Sequence, residues 1–208
     1  GIPGRSGIDL DDPDNWYCYW GPCGVAVKDG SCYVADTGNN VISRVSDPGI
    51  YIEIMAGFNP GSDDGTYLDA RFLWPEGLAF DPVGNLFVTD TGNSTIRRVS
   101  PNKEVTTFCG SAGLRGNVDG SGAAARFDLP CGIAIDRNGT LFVCDWGSHT
   151  IRRITRQGEA TTIGGMAGVS GSREERGIAA RFSNPSGIAV DRNGVLYIAD
   201  SGNHRIVV

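Results

Sequence analysis

The sequence predicts an all-β fold made of repeated four-stranded antiparallel sheets. A Pro-x-Gly signature occurs four times, at intervals of 53, 55 and 55 residues, and a fixed interval of this size indicates a repeat architecture. Short apolar runs separated by turn residues follow every signature, whereas a helical repeat would show apolar residues at a 3.6-residue period. The 31 glycines and 10 prolines have no Gly-X-Y period, so they mark turns between strands. The four signatures are residues 22–24, 75–77, 130–132 and 185–187.

Each repeat is predicted to begin with two strands, a and b. Strand a follows the signature directly, at residues 25–27, 78–80, 133–135 and 188–190. A tight turn leads to strand b, and it contains a glycine because such turns demand a positive φ. Strand b is predicted at residues 32–35, 86–89, 141–144 and 196–199. The residue after strand b is always an aspartate: Asp36, Asp90, Asp145 and Asp200.

Strands c and d complete the repeat. Strand c alternates apolar residues with Arg or Ser, as half-buried strands do, at residues 41–45, 95–99, 150–154 and 205–208. Strand d is predicted at residues 51–54, 105–108 and 160–163, and the fourth repeat has no strand d. A Gly-rich connection, which belongs on the surface, links each strand d to the next strand a.

Four antiparallel strands per repeat, with a long return from outer strand d to the next inner strand a, predict a β-propeller. Residues 1–19 are predicted to be a partial inter-blade connection and residues 20–208 the propeller. Its repeats are residues 20–73, 74–128, 129–183 and 184–208. The last blade is therefore predicted to lack its outer strand.

The repeats resemble the NHL family. Residues 185–206 contain Pro-Ser-Gly-Ile-Ala-Val-Asp and Leu-Tyr-Ile-Ala-Asp-Ser-Gly-Asn-His-Arg-Ile, which follow the NHL consensus nearly residue for residue. The resemblance extends over residues 20–208. It departs from the consensus in the short a–b turn of the first copy and at the histidine position, where the first two copies have Asn40 and Ser94. Membership implies a propeller, commonly of six blades.

The final strand c is the candidate partner-binding edge. Without a strand d beside it, this strand is expected to present unpaired backbone groups, which invite pairing with another chain. The residues concerned are Arg205, Ile206, Val207 and Val208. Two explanations stay open: the sequence is part of a longer chain, or a partner completes the repeats.

Composition argues against several function classes. A net charge of −6 without a basic run argues against a nucleic-acid partner, because phosphate binding needs clustered Lys and Arg. No apolar run approaches the roughly 20 residues of a membrane span. The chain has two histidines, His149 and His204, whereas catalytic zinc needs about three protein ligands. No phosphate loop or nucleophile motif occurs, so we predict no enzymatic activity and no cofactor.

The polar residues that recur in every copy have structural explanations. The aspartates after strand b are expected to cap their own turns through backbone N–H groups, and a cation-binding ring of carboxylates is the alternative. The histidines are expected to have a structural role at the start of strand c. The recurring arginines are expected to form scaffold salt bridges or solvated faces. They are Arg71, Arg126, Arg181, Arg97, Arg98, Arg152 and Arg153.

Three further groups of residues are candidate sites. Asp9, Asp11, Asp12 and Asp14 have a spacing reminiscent of a calcium loop, although the Gly and Glu of an EF-hand loop are missing. Asn93 and Asn138 begin N-x-Thr glycosylation sequons in predicted turns. Among the six cysteines, Cys131 and Cys144 lie on adjacent strands of one blade and are the candidate disulfide, with buried free thiols as the alternative.

These observations together favour a non-enzymatic structural or interaction module, extracellular or on the cell surface. Its expected partner is a protein, including copies of itself that assemble into an oligomer or filament through the incomplete blade, and it is expected to carry glycans. One alternative is part of a larger propeller enzyme whose active-site residues lie outside this chain. A second alternative is an intracellular protein-binding NHL propeller.

Overall fold

The computed structural model describes residues 19–46 and 51–208, and it confirms an all-β propeller. The strands form four antiparallel sheets, which we call blades 1 to 4 in chain order. Inner strands of consecutive blades pack side by side, so that the blades follow one another in space as they do in sequence. The fourth blade has three strands, as predicted.

The strand boundaries follow the turn signals in the sequence. Blade 1 contains β1 (Gly24–Lys28), β2 (Ser31–Asp36), β3 (Val41–Ser46) and β4 (Tyr51–Ala56). Blade 2 contains β5 (Gly65–Thr66), β6 (Pro75–Phe80), β7 (Leu86–Asp90), β8 (Thr95–Val99) and β9 (Glu104–Gly110). Blade 3 contains β10 (Gly120–Ser121), β11 (Pro130–Ile135), β12 (Leu141–Asp145), β13 (Thr150–Ile154) and β14 (Glu159–Gly164). Blade 4 contains β15 (Pro185–Val190), β16 (Leu196–Asp200) and β17 (Arg205–Val207).

Blades 2 and 3 each have a fifth strand that the repeat pattern did not predict. The Gly-rich connection that enters blade 2 pairs with its outer strand at Gly65 and Val105. The connection that enters blade 3 does the same at Gly120 and Ala160. Each two-residue strand satisfies backbone groups that would otherwise face solvent on the outer edge of the blade.

Aspartates at the end of strand a stabilise the a–b turns. Asp81 Oδ1 accepts hydrogen bonds from the backbone N–H groups of Val83 at 3.0 Å and Asn85 at 2.8 Å. The a–b turns of blades 3 and 4 repeat this arrangement at Asp136 and Asp191. Self-capping of a turn is therefore carried out by this aspartate and not by the one that follows strand b.

The hydrophobic core lies between the blades. We call the side of a blade that faces the next blade its front face and the opposite side its back face. Phe87 and Ile96 on the front face of blade 2 pack with Leu141 and Val143 on the back face of blade 3. Equivalent clusters join blade 1 to blade 2 and blade 3 to blade 4. The inner and central strands of a blade are thus buried mainly by the neighbouring blade.

The glycine of the Pro-x-Gly signature permits neighbouring inner strands to approach closely. A Cβ atom built on Gly132 would lie 2.5 Å from the carbonyl oxygen of Ser186 in the next blade. Gly24 and Gly77 meet the equivalent carbonyl groups of blades 2 and 3 even more tightly. At Gly187, in blade 4, the nearest atom to such a Cβ is the Cβ of Ala199 at 3.4 Å, in the same blade. The fourth glycine thus occupies the close-approach position, and no backbone of another described blade lies within 4 Å of such a Cβ.

Candidate interface on the first and last blades

Blades 2, 3 and 4 each contain an ion pair between the aspartate after strand b and an arginine of strand c. In blade 2 the pair joins Asp90 and Arg97. Both side chains, Asp90 and Arg97, are fully buried, and Arg97 Nη1 donates to Asp90 Oδ2 at 2.8 Å. Asp90 Oδ2 also accepts a hydrogen bond from Asn93 Nδ2 at 2.8 Å. Asp90 Oδ1 accepts one from the backbone N–H of Leu73 at 2.7 Å, and Arg97 donates to the carbonyl oxygen of Arg71 at 2.8 Å. The pair thus ties the incoming connection to strands b and c.

The same unit recurs with different residues. In blade 3, Arg152 pairs with Asp145 at 3.2 Å. In blade 4, Arg205 pairs with Asp200 at 2.8 Å, although it stands two positions earlier on its strand than Arg97 does on β8. Its guanidinium group still reaches the equivalent carbonyl oxygen, that of Arg181, at 3.0 Å. The guanidinium group therefore lies at the same place in each blade, although the arginine that carries it comes from a different position on the strand in blade 4.

The aspartates after strand b therefore differ from the prediction. The short 3₁₀ turns that follow Asp36, Asp90 and Asp200 receive no side-chain capping hydrogen bond from them. Their carboxylates reach instead to the connection that enters the blade, where backbone N–H groups are otherwise unpaired. The alternative of a metal-binding ring has no support in residues 19–46 and 51–208, which bring together no cluster of three His, Cys, Asp or Glu side chains suited to a metal ion.

Burial opposes ionisation of these carboxyl groups. It raises the pKa of Asp90 to about 6 and that of Asp145 to about 7. The paired arginines and the hydrogen bonds that each carboxyl group accepts lower the pKa and offset part of this effect. Each ion pair is therefore a structural element whose two members have to be present together.

Several front-face positions form hydrogen bonds between consecutive blades, among them Thr89 Oγ1, which donates to the carbonyl oxygen of Cys131 at 2.6 Å. Two other positions recur. At the residue after the aspartate, Thr91 Oγ1 donates to the carbonyl oxygen of Pro130 at 2.7 Å, and Thr37 does the same to Pro75 at 2.6 Å. Three residues further on, His149 Nδ1 accepts the backbone N–H of Asn184 at 3.0 Å. Asn40 accepts the equivalent N–H, that of Trp74, at 2.9 Å. These contacts join the end of strand b to the start of the next strand a.

His149 therefore has the structural role that the sequence suggested, although it joins two blades. Acceptance through Nδ1 requires this nitrogen to be unprotonated. In blade 4 the two equivalent positions are Ser201 and His204, and both are exposed. The Ser201 hydroxyl forms a hydrogen bond with Ser186 of its own blade.

The front face of blade 4 is apolar and exposed. Tyr197 is 42% exposed and Ile206 is 66% exposed. The equivalent residues of blade 3, Phe142 and Ile151, are 9% and 1% exposed, because blade 4 covers them. Blade 4 therefore has the composition of an internal blade on a face that no described residue covers.

The back face of blade 1 is exposed along its inner strand β1, whereas Val41 and Ile54 on β3 and β4 of the same face are 1% and 3% exposed. Val25 is 62% exposed and Val27 is 73% exposed. Leu78 and Ile133, which occupy the Val25 position in blades 2 and 3, are 7% and 8% exposed. The described blades thus have exposed apolar residues at each side of the array, on the front face of blade 4 and on β1 of the back face of blade 1.

The predicted pairing edge lies at the periphery of blade 4. The sheet has the order β15-β16-β17, so that β17 is its outermost strand among the described residues. Arg205, Ile206 and Val207 belong to β17, and Val208 follows it. In blades 2 and 3 the equivalent strands, β8 and β13, are covered by β9 and β14.

The predicted disulfide between Cys131 and Cys144 is not present, and both residues are buried free thiols. Cys131 lies where the register of β11 shifts, and its thiol is directed at the carbonyl oxygens of Pro185 and Ser186 in blade 4 at 3.5 Å. Burial raises the pKa of Cys131 to about 12 and the pKa of Cys144 well above its ordinary value. Both thiols are therefore protonated at neutral pH and poor nucleophiles.

The two sequons occupy different environments. Asn93 is 6% exposed, and its side-chain amide donates to Asp90 and to the carbonyl oxygen of Gly61. A glycan on this nitrogen would require the side chain to leave a buried network. Asn138 lies exposed in the a–b turn of blade 3. The calcium candidates Asp9, Asp11, Asp12 and Asp14 lie outside the described residues.

Two protein-family models match this chain. The model of the SMP-30/Gluconolactonase/LRE-like region matches residues 24–170. The chain belongs to this family. The NHL repeat model matches residues 182–208, which confirms the resemblance to NHL repeats. No helix within the described parts of the chain has the length and apolar character needed to cross a membrane.

Similar proteins include both enzymes and proteins without a stated activity. NHL repeat-containing protein 2 of Homo sapiens is 32% identical over 154 residues, and the match covers 67% of this chain but 21% of that protein. A structural genomics protein of unknown function from Bacteroides thetaiotaomicron has a TM-score of 0.75 and 23% identity, over 89% of this chain and 46% of that one. A streptogramin B lyase has a TM-score of 0.63 and 17% identity, over 89% and 50%. The fold therefore occurs in enzymes as well.

Removal of the buried arginine is predicted to destabilise the chain. In Arg152→Gln the carboxylate of Asp145 keeps its burial but loses its partner, so that the free energy of unfolding should fall by about 3–5 kcal/mol. Urea unfolding of the purified variant measures this change. Arg153→Gln, at the exposed neighbouring position on β13, is the matched control and should change the free energy of unfolding by less than about 0.5 kcal/mol. Equal losses in the two variants would contradict the structural role of the ion pair.

Proposed function

We propose that this chain is a non-enzymatic protein-interaction module that binds an extended segment of a protein partner along β17. The observation that carries the proposal is the three-stranded sheet of blade 4, with β17 outermost among the described residues. A strand edge offers a row of backbone N–H and C=O groups to an added strand. Pairing of this kind obtains affinity from main-chain hydrogen bonds and specificity from alternate side chains.

The internal blades suggest which side chains such a partner would carry. In blades 2 and 3 the outer strands place Thr107 opposite Arg97 and Thr162 opposite Arg152. Val207 holds the equivalent position in β17. A partner residue at this point would lie beside an apolar side chain, which favours an apolar or β-branched residue there. The expected partner is therefore a β-forming segment.

An appended strand tests the proposal. The chain is extended after Val208 by residues 154–164 copied from blade 3, which continue β17 in register and supply the missing strand in cis. A synthetic peptide of residues 155–166 serves as the probe partner, and fluorescence polarisation measures its binding. We expect the peptide to bind the original chain and to bind the extended chain at least roughly tenfold more weakly, because the edge is already occupied.

Two controls make this result specific. An extension of the same composition in scrambled order should leave peptide binding unchanged, and a probe peptide N-methylated at alternate residues should not bind, because it lacks the required N–H donors. Absence of peptide binding to the original chain, or equal binding to the original and extended chains, would contradict the proposed use of β17.

The proposal includes a location outside the cell or on its surface. The exposed Asn138 sequon supports it, since N-glycosylation takes place on surface loops of secreted proteins. When the chain passes through a secretory pathway, we expect a glycosidase-sensitive mass that Asn138→Gln removes and Asn93→Gln retains. Intact mass spectrometry with and without glycosidase makes the measurement. An unmodified Asn138 in chain secreted by its native host would count against the location.

One alternative has a specific observation in its favour. The family match to a gluconolactonase-like region supports a role as part of a larger propeller enzyme. The described residues bring together no metal-binding cluster, and their buried thiols are protonated, so that the catalytic groups of such an enzyme would lie outside residues 19–46 and 51–208.

A further inference from the structure

The geometry points to a second contact: we infer that the front face of blade 4 binds the back face of blade 1 of a second copy, head to tail. This contact uses the flat faces of the terminal blades and not the β17 edge, so it goes beyond the proposed function. This contact would continue the pattern of the three interfaces between consecutive blades inside the chain. The close approach at the signature glycine occurs in all three interfaces. The hydroxyl contact occurs in the first two, and the acceptor contact in the first and third. The exposed surfaces of blades 4 and 1 carry the two halves of this set.

The front half of this set is complete on blade 4. Gly187 corresponds to Gly132, whose lack of a Cβ atom permits the neighbouring carbonyl group to approach. Ser201 occupies the position of Thr91, and His204 occupies the position of His149. Both therefore stand where the internal blades form hydrogen bonds to their neighbours.

The apolar part of the front half is present as well. Tyr197 and Ile206 are exposed on blade 4, whereas their equivalents in blade 3 are buried by the next blade. An aromatic ring and a branched aliphatic side chain are retained at positions where no described residue covers them. Covering them would remove apolar surface from water, which is the main driving force of association.

The back half is present on blade 1. The residue before the signature proline adopts a left-handed conformation in the later blades, with φ of 52° at Trp74, 56° at Leu129 and 49° at Asn184. Gly21 has the same conformation, with φ of 59°. Gly21 therefore has the backbone conformation of Asn184, whose N–H is bound by His149 of the preceding blade. Its own N–H is placed to be bound by His204 of a second copy.

Two further matches follow from the same alignment. Pro22 corresponds to Pro130, whose carbonyl oxygen accepts the Thr91 hydroxyl, so that Pro22 is the acceptor for Ser201. Val25 corresponds to Ile133, which packs in the core between blades 2 and 3. Val25 is therefore placed to pack against the front face of a blade 4.

A contact between two different faces is heterologous, so each copy retains one free face of each kind until a ring closes. Two variants each disrupt one of the two faces and leave the other intact. Gly187→Ala adds a methyl group to the front face of blade 4, where the nearest atom of the described residues is the Cβ of Ala199, at an ordinary contact distance of 3.4 Å. Val25→Asp adds a charge to the back face of blade 1 at an exposed position. Both variants should fold, since neither touches a buried site.

Sedimentation velocity across a concentration series tests the inference. The original chain should gain mass above 22.0 kDa reversibly with concentration. Each variant alone should associate roughly tenfold or more weakly, because a methyl group forced against backbone or a buried charge costs at least this much. An equimolar mixture of the two variants should form a 1:1 dimer that grows no further, since the mixture contains one intact pair of faces.

Three results would overturn the inference: an original chain that stays monomeric, variants that associate as the original does, or a mixture that forms no dimer. Gly132→Ala, at the internal equivalent of Gly187, is the control for the geometry and should lower stability of the monomer, which Gly187→Ala should not. The chain with the appended strand should still associate head to tail. Its association separates this contact from strand pairing at β17, so that either can fail alone.

Discussion

Apolar packing between consecutive blades is the interaction that organises this chain. A single blade is a thin sheet with two apolar faces, and the three hydrophobic clusters all join residues of two blades. Since a thin sheet has no interior of its own, each blade is stable only beside a neighbour. The glycine of each signature serves this packing, because it permits the backbone of one inner strand to touch the next at Gly132 and Ser186.

Polar contacts fix the register of this packing. Within a blade, the buried pair of Asp90 and Arg97 holds the incoming connection against the sheet. Between blades, the imidazole of His149 and the hydroxyl of Thr91 bind backbone groups of the next inner strand. The hydroxyl contact occurs in the first two blade interfaces and the acceptor contact in the first and third, so these positions have structural roles. The terminal blades carry groups of the same kind at positions that are exposed among the described residues.

Repeat spacing and turn residues predicted the strand order, the antiparallel blades and the incomplete fourth sheet. The sequence could not reveal the two-residue strands at Gly65 and Gly120, because pairs this short leave no periodic signal. It misassigned the buried aspartates to turn capping, since the N–H of Leu73 that Asp90 binds is distant in sequence. The sequence placed the apolar residues of the candidate interface in strands but gave no sign that they are exposed. Comparison of the four copies position by position would have found Tyr197 and Ile206, once the direction of each blade face was known.

The central claim is that the uncovered faces of the terminal blades are interfaces. Amide hydrogen exchange followed by mass spectrometry, on the same chain at low and high concentration, tests this claim directly. At low concentration, the amides of β15–β17 should exchange faster than those of β11–β13, because blade 4 is covered on one face alone. At high concentration, the amides of blades 1 and 4 should become protected while those of blades 2 and 3 stay unchanged. If the amides of blades 1 and 4 have the same protection at low concentration as at high concentration, the result contradicts these interfaces.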